Sequence, residues 1–98
     1  MLLRSHELTL IPFACSELGR EYEITVNAIA PGAMNTDAFN NVGDGFRATL
    51  EPMLAATPAA HRIGEPEEVA FGVAFFCEER ARWMTGVILS INGGALMI

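Results

Sequence analysis

The sequence contains no lysine: its six basic residues are all arginine, Arg4, Arg20, Arg47, Arg62, Arg80 and Arg82. A guanidinium stays charged, so chemistry that needs an ammonium of tunable pKa has no residue here to carry it. Tyrosine occurs once, as Tyr22, and tryptophan once, as Trp83. Cys15 and Cys77 sit in apolar runs and read as two buried thiols rather than a disulfide. With His6 and His61 they match no metal-ligand spacing. No apolar stretch is long enough to span a bilayer, and Leu2 and Leu3 precede Arg4, the reverse of the order in a secretory leader. A cytosolic chain without membrane contact is expected. The net charge of −6 excludes the basic footprint by which nucleic acid is held.

What the chain has in quantity is apolar residues, 51% of a length of 98. A domain this short cannot bury most of its surface. The composition is that of a segment cut from a larger core, and the length allows at most one domain.

Residues 8–19, "LTLIPFACSELG", place Leu8, Ile11, Cys15 and Leu18 on one helical face. Pro12 fits only a first turn, which Thr9 as N-cap would allow; otherwise the helix kinks there. Gly19 is the expected stop. Residues 24–30, "ITVNAIA", are apolar and β-branched without helical period, the pattern of a strand buried on both faces of a parallel sheet. Pro31-Gly32 ends it. Residues 35–61 are less regular, with a short helix predicted from Asp44 to Ala56, interrupted by Pro52; such a segment after a strand suits a mobile lid. "GEPEEVAFGVAFFCEERARW" reads as a helix with Pro66 at its first position, Glu67 and Glu68 in the first turn, a stripe of Val69, Val73 and Phe76, and Arg80 and Arg82 in the last turn. "VILSI", 87–91, is a second buried strand, closed by Asn92-Gly93-Gly94. Strand, helix and strand imply a right-handed parallel crossover.

Three stretches in this order, "ITVNAIAPGAMNT", "RIGEPEEVAFGVAFF" and "MTGVILSINGG", resemble the C-terminal part of a short-chain dehydrogenase/reductase, from about Leu8 onward. The resemblance implies an α/β fold. The chain would be a partial Rossmann-like domain, a C-terminal βαβ unit with two parallel strands and a preceding helix. It makes residues 1–98 a single truncated C-terminal portion, with 1–7 a poorly matched start and 37–61 lid-like. It also implies an oxidoreductase that moves hydride between NAD or NADP and an alcohol or carbonyl. Pro31 and Gly32 would turn beside the nicotinamide. Backbone groups near Ala33 and Met34 and the Thr36 hydroxyl would hold its carboxamide, since fixing an amide takes both a donor and an acceptor. The alternative is an ordinary turn with Thr36 as a local helix cap.

The family's catalytic tyrosine, the lysine four residues after it and the upstream serine find no match. Val26 lies four residues after Tyr22, in what reads as the turn after the first helix. Counting back from Glu17-Leu18 puts the lysine position near Arg4, or at His6 in another register, with the tyrosine before Met1. No strand–Gly-rich turn–helix is present for the cofactor's phosphates. "GDGFRA", 43–48, fits G-x-G-x-x-A but follows a poor strand, and reads as part of the lid. Asn92 stands where family members usually carry aspartate. The chain is therefore expected to be inactive alone and not to bind the cofactor stably. It is alternatively a dimerisation or binding module, or a remnant of a gene or gene model. Self-association, or pairing with a full-length relative, is the expected partnership. Trp83 and Met84 are expected to pack at the sheet end, His61 and Arg62 to anchor the lid, Asp37 to be a solvated cap, and Met53 and Met97 to fill space.

Overall fold

A computed structural model describes residues 5–96. The elements run α1 (Ser5–Tyr22), β1 (Ala28–Pro31), α2 (Asp37–Asn40), α3 (Asp44–Ala55), α4 (Pro66–Cys77), a 3₁₀ turn (Glu79–Ala81) and β2 (Ile88–Ile91). β1 and β2 pair in parallel, Ala28 opposite Ile88 and Pro31 opposite Ile91, with α4 in the crossover between them. The strand–helix–strand unit is thus the one expected, embedded in an α/β arrangement.

Boundaries differ for local reasons. β1 is shorter than 24–30 because the chain before it is held by side chains. Val26 N donates to Thr85 Oγ1 at 3.0 Å, Asn27 Nδ2 to the Met84 carbonyl at 3.0 Å, and Val87 N to Asn27 Oδ1 at 3.0 Å. α1 begins well before Thr9, which is therefore not its cap, and it continues through Pro12 without a break. It also passes Gly19 and includes Tyr22. Glu23, with φ 54°, takes the left-handed position that was expected of a glycine. Gly19 serves a different purpose: a Cβ there would stand 3.0 Å from the Ile24 carbonyl oxygen, so its absence lets the chain fold back. α3 likewise continues through Pro52.

α4 starts as its sequence dictates, with Pro66 in the first turn and a reciprocal capping box between Glu65 and Glu68. It ends at Cys77, so Arg80 and Arg82 lie beyond its last turn. Its inner face is Val69, Gly72 and Phe76, while Val73 is exposed. Gly72 is buried, and a Cβ on it would run into Ile91 Cδ1. The missing side chain lets helix and sheet approach closely, which apolar periodicity alone does not reveal.

The strands are only half-buried, not buried on both faces as expected. A two-stranded sheet with one helix across it lacks the neighbours that would cover it. Among the described residues the sole apolar side chain in the buried class is Ala81, 3% exposed, whereas Phe71 is 74% exposed. Trp83 is 95% exposed and does not pack at the sheet end. Leu18 is exposed, Cys77 is exposed and Cys15 half-buried, both thiols free. The accessible surface is 7274 Å², against about 5,500 Å² for a compact monomer of this mass. The radius of gyration is 15.7 Å, against about 13 Å for a compact chain of this length. Among the described residues no helix is long and apolar enough to cross a membrane, and no cluster of His, Cys, Asp or Glu is arranged to hold a metal.

Two outcomes test this fold. A Cβ on Gly32 would stand 2.7 Å from Asn92 Cβ and 3.0 Å from Asn92 Cα, whereas one on Gly45 meets nothing within 4 Å. Gly32→Ala is expected to cost about 1–3 kcal/mol in urea unfolding followed by circular dichroism. Gly45→Ala, inside α3, is expected to be neutral or to gain up to about 1 kcal/mol. Equal effects of the two would contradict the close approach of residues 32 and 92.

The second outcome concerns pH. The Glu68 carboxyl is pulled from 4.5 to about 2, first by the hydrogen bond from Arg62 and then by the Glu65 backbone N–H. The stabilisation is therefore fully present above the ordinary glutamate value and is lost as pH falls from 4.5 toward about 2. Glu68→Gln should lower the urea midpoint at neutral pH and flatten its pH dependence in that window. An unchanged profile would show that the pair does not stabilise the fold.

Candidate functional site

The site begins where β1 ends. Gly32 N donates to the Ile91 carbonyl at 3.0 Å, so the chain is still held against β2 one residue past the strand. It then swings away, and a single parallel bridge joins Met34 to Gly64, with Asn35 N on Gly64 O at 2.8 Å and Gly64 N on Ala33 O at 2.9 Å. Residues 35–63 thus leave and return through one narrow neck. Between its ends lie α2 and α3, the segment that the sequence marked as lid-like.

The lid has a second anchor. Ala59 N donates to Gly93 O at 2.9 Å, and a Cβ on Gly93 would stand 2.7 Å from Thr57 Cγ2. Gly93 and Gly94 have φ 64° and 85°, left-handed values that glycine adopts without steric cost. Thr57 is buried there, its hydroxyl donating to the Met53 carbonyl at 3.2 Å. Arg62 fixes the neck as expected: its guanidinium meets both Glu68 oxygens, at 3.0 and 2.8 Å, and the Ile63 carbonyl at 2.9 Å. Asn35 Nδ2 donates to Glu65 at 3.2 Å, and Asn35 Oδ1 accepts from Asn40 Nδ2 at 2.9 Å.

Between lid and sheet lies a cleft of about 750 Å³. One wall is formed by the two strand ends, from Ala30 through Met34 and from Ser90 through Ala95; the other is the apolar lid face, Phe39, Phe46, Leu50, Met53 and Leu54, with Arg62 and Glu68 also lining the cleft. Of the five residues expected at a cofactor, Pro31, Gly32, Ala33 and Met34 line this cleft, and Thr36 does not. Thr36 instead caps α2, its Oγ1 accepting from Phe39 N at 3.3 Å. The hydroxyl proton remains free to be donated, so capping does not exhaust its capacity. Asp37 is the first residue of α2, in the acid-favouring first turn.

Two donors of this corner have no backbone acceptor among the described residues. Among the described residues, neither Ala33 N–H nor Met34 N–H donates to a backbone carbonyl. The Ala33 and Met34 carbonyls, by contrast, accept from Gly64 N and Thr36 N. An amide-bearing ring against this wall would meet two backbone donors and the end of an apolar strand. Donors for the amide oxygen of a nicotinamide are thus present, and the second lone pair of the Ala33 or Met34 carbonyl would be the acceptor for its NH₂. No Gly-rich turn for the phosphates precedes β1 in the described residues.

The sequence reading missed the second wall. Asn92 Oδ1 accepts from Gly94 N at 2.9 Å, and its Nδ2 donates to the Leu96 carbonyl at 2.6 Å. A carboxylate here would keep the first bond and lose the second, so the asparagine gains a donor as it loses the charge. The signal was the Asn-Gly-Gly turn itself. Of the lid's inner face only Phe39 lies on α2, which was not foreseen; Phe46, Leu50, Met53 and Leu54 lie on α3, a helix that was expected but not assigned to the site. "GDGFRA" opens α3, with Gly43 as N-cap and Phe46 N and Arg47 N bonded to the Gly43 carbonyl. Tyr22 is exposed at the end of α1, not in a turn after it, and does not line the cleft. Of the two positions for the lysine, Arg4 lies outside the described residues, as does the side chain of His6; Met97 lies outside them too.

Residues 8–95 match the family described as enoyl-(acyl carrier protein) reductase. The chain is 40% identical over 86 residues to the short-chain dehydrogenase/reductase FrzI of Cladobotryum, an alignment covering 85% of this chain and 33% of that protein. It is similar in structure to a 3-oxoacyl-(acyl carrier protein) reductase of Brucella melitensis, with a TM-score of 0.78 and 31% identity over 96% of this chain and 33% of the other. A 4-hydroxyisoleucine dehydrogenase solved with NADH shares the fold, with a TM-score of 0.70 at 24% identity over 92% of this chain and 34% of the other. The chain spans about a third of the length of each of these proteins. Sequence and fold agree across nearly all of that third, and the chain belongs to the short-chain dehydrogenase/reductase family of NAD(P)-dependent oxidoreductases.

Proposed function

We propose that this chain supplies the nicotinamide-facing corner and the substrate lid of an NAD(P)-dependent short-chain oxidoreductase, and that it does not transfer hydride by itself. The observation that carries the reading is that Ala33 and Met34 line the cleft with N–H groups that no backbone carbonyl accepts, on a wall that Gly32 and the 34–64 bridge hold in place. When bound, the cofactor supplies or accepts the hydride. Ala33 and Met34 orient its carboxamide, Pro31 and Gly32 bring the strand end beside the ring, and the Thr36 hydroxyl donates from the head of α2. Orientation of that amide decides which ring face the lid-side ligand meets.

Inactivity rests on the acid–base chemistry. The one tyrosine stands away from the cleft and no lysine exists to tune it. The surface of 7274 Å² exceeds that of a compact monomer by about 1,800 Å², which supports a second role in association: it is more than the roughly 800 Å² that each partner buries in a standard interface. Self-association, or pairing with a full-length relative, would cover it.

The purified chain is expected to give no NADH or NADPH turnover with a carbonyl panel above a denatured control. Losing positioned acid–base catalysis alone costs about 10²–10⁴-fold. The same preparation should sediment as an oligomer or co-purify with a full-length relative. Turnover would refute the first expectation, and a cooperatively unfolding monomer the second.

Thr36 gives a sharper test in a complete scaffold. With residues 24–96 grafted onto a full-length family member, Thr36→Val should weaken cofactor affinity by the value of one hydrogen bond, about 0.5–1.5 kcal/mol. Thr36→Ser, which keeps both the cap and the donor, should restore it. Unchanged affinity in the Val variant would confine Thr36 to its capping role.

A further inference from the structure

An asparagine is followed in the chain by a nitrogen that can attack its own side-chain carbonyl carbon and close a cyclic imide. At four of the five asparagines the fold ties that nitrogen down. After Asn27, Ala28 N donates to the Val87 carbonyl at 2.8 Å, and after Asn35, Thr36 N donates to the Met34 carbonyl at 2.8 Å. After Asn40, Asn41 N donates to the Asp37 carbonyl at 3.0 Å, and after Asn41, Val42 N donates to the Phe39 carbonyl at 3.3 Å. The nitrogen after Asn92 is that of Gly93, and among the described residues it donates to no backbone carbonyl. Gly93 is also exposed and has no side chain to hinder ring closure.

The Asn92 amide is held in a way that favours attack on it. Gly94 N donates to its Oδ1 at 2.9 Å, the oxygen on which negative charge gathers when Cγ is attacked. A fixed backbone donor at that place acts as an oxyanion hole does. The left-handed conformations of Gly93 and Gly94, φ 64° and 85°, shape the turn that presents this donor. On its other side the amide works as a latch: Nδ2 donates to the Leu96 carbonyl at 2.6 Å and so holds residues 95 and 96, both of which line the cleft. A carboxylate has no N–H, so the latch cannot survive conversion of the amide to an acid.

We propose that Asn92-Gly93 modifies itself in the folded chain, and that the change releases residues 95–96 from the cleft wall and slackens the lid's anchor at Gly93. Water or hydroxide takes the Gly93 N–H proton, the nitrogen bonds to Asn92 Cγ, and the Cγ–Nδ2 bond breaks, Nδ2 leaving as ammonia with a proton from water. A second water then opens the imide. Opening at Cγ gives aspartate; opening at the main-chain carbonyl gives isoaspartate, whose main chain runs on through Cβ and Cγ. Nothing is oxidised or reduced. Both products lose the bond to Leu96. The isoaspartyl product also adds a carbon to the main chain between Asn92 Cα, which Gly32 approaches, and Gly93, whose carbonyl holds Ala59 N at 2.9 Å.

The test holds the purified chain at mildly alkaline pH in ¹⁸O-water, then cleaves it after arginine and weighs the fragments by mass spectrometry. Because lysine is absent, cleavage leaves Asn92 alone in residues 83–98 and the other four asparagines together in residues 21–47. The heavy oxygen marks conversion during the incubation rather than during digestion. Fragment 83–98 should convert at least about tenfold faster than 21–47, the rate equivalent of one hydrogen bond that the other sites must first break. An isoaspartyl-specific methyltransferase should label 83–98. Unfolding in urea should shrink the ratio, since it frees the other N–H groups. As conversion proceeds, hydrogen exchange at the Ala59 amide should quicken. Asn92→Ser, which cannot form the imide, should hold that exchange constant over the same incubation. The proposal is overturned if 21–47 converts as fast as 83–98, if the ratio in urea is unchanged or larger, or if Ala59 exchange is the same in the fully converted chain.

Discussion

Residue 32 has no side chain because residue 92 is already there. An added Cβ would fall 2.7 Å from Asn92 Cβ and 3.0 Å from Asn92 Cα, and neither atom belongs to a movable side-chain end. That contact keeps β1 and β2 together past their last paired residues, and Gly32 N on Ile91 O closes it at 3.0 Å. Only because the two chains separate beyond this point does a cleft open between residues 33–34 and 93–95. A bulkier residue at 32 would split the strands earlier and lower the floor of the site.

The rest of the molecule shows what this contact alone cannot supply. A parallel pair needs cover on both faces, and here the described residues give one crossover helix. The consequence is half-buried strands and exposed phenylalanines on α4. Local features are nevertheless well formed: the α4 capping box, the glycine turn at 93–94 and the Asn27 stitch to residues 84 and 87. These depend on short-range hydrogen bonds and backbone conformation. Burial depends on neighbours, and the chain offers few.

That division explains what was legible in the sequence. Parallel strands flanking a helix could be read from two apolar runs and a Pro-Glu-Glu helix start, since those signals are local. Four cleft residues, Pro31 to Met34, were found through their motif. Thr36 forms the local cap that was the alternative reading, and a hydroxyl that accepts from Phe39 N can still donate, so the cap and the cofactor reading do not exclude each other. The burial expectations for Val73, Trp83 and Cys77 failed for a common reason. Periodicity reports which residues would face a complete core, and says nothing of whether that core is present. Gly72 was missed for the opposite reason, since an inward-facing glycine leaves no mark on an apolar pattern.

The glycine turn after β2 couples the two halves of the site. Asn92 and Gly94 form part of the cleft wall, and Gly93 takes the Ala59 N–H and receives the Thr57 methyl. α3 packs extensively on no other element, so its position is set by its two ends. One end hangs from the neck at Met34 and Gly64, beside the N–H groups of Ala33 and Met34. The other rests on the turn that also forms the cleft wall. The turn at residues 92–94 is therefore both cleft wall and lid anchor. The strand-end wall and the lid are thus joined at Gly93 by a backbone hydrogen bond and by the Thr57 methyl.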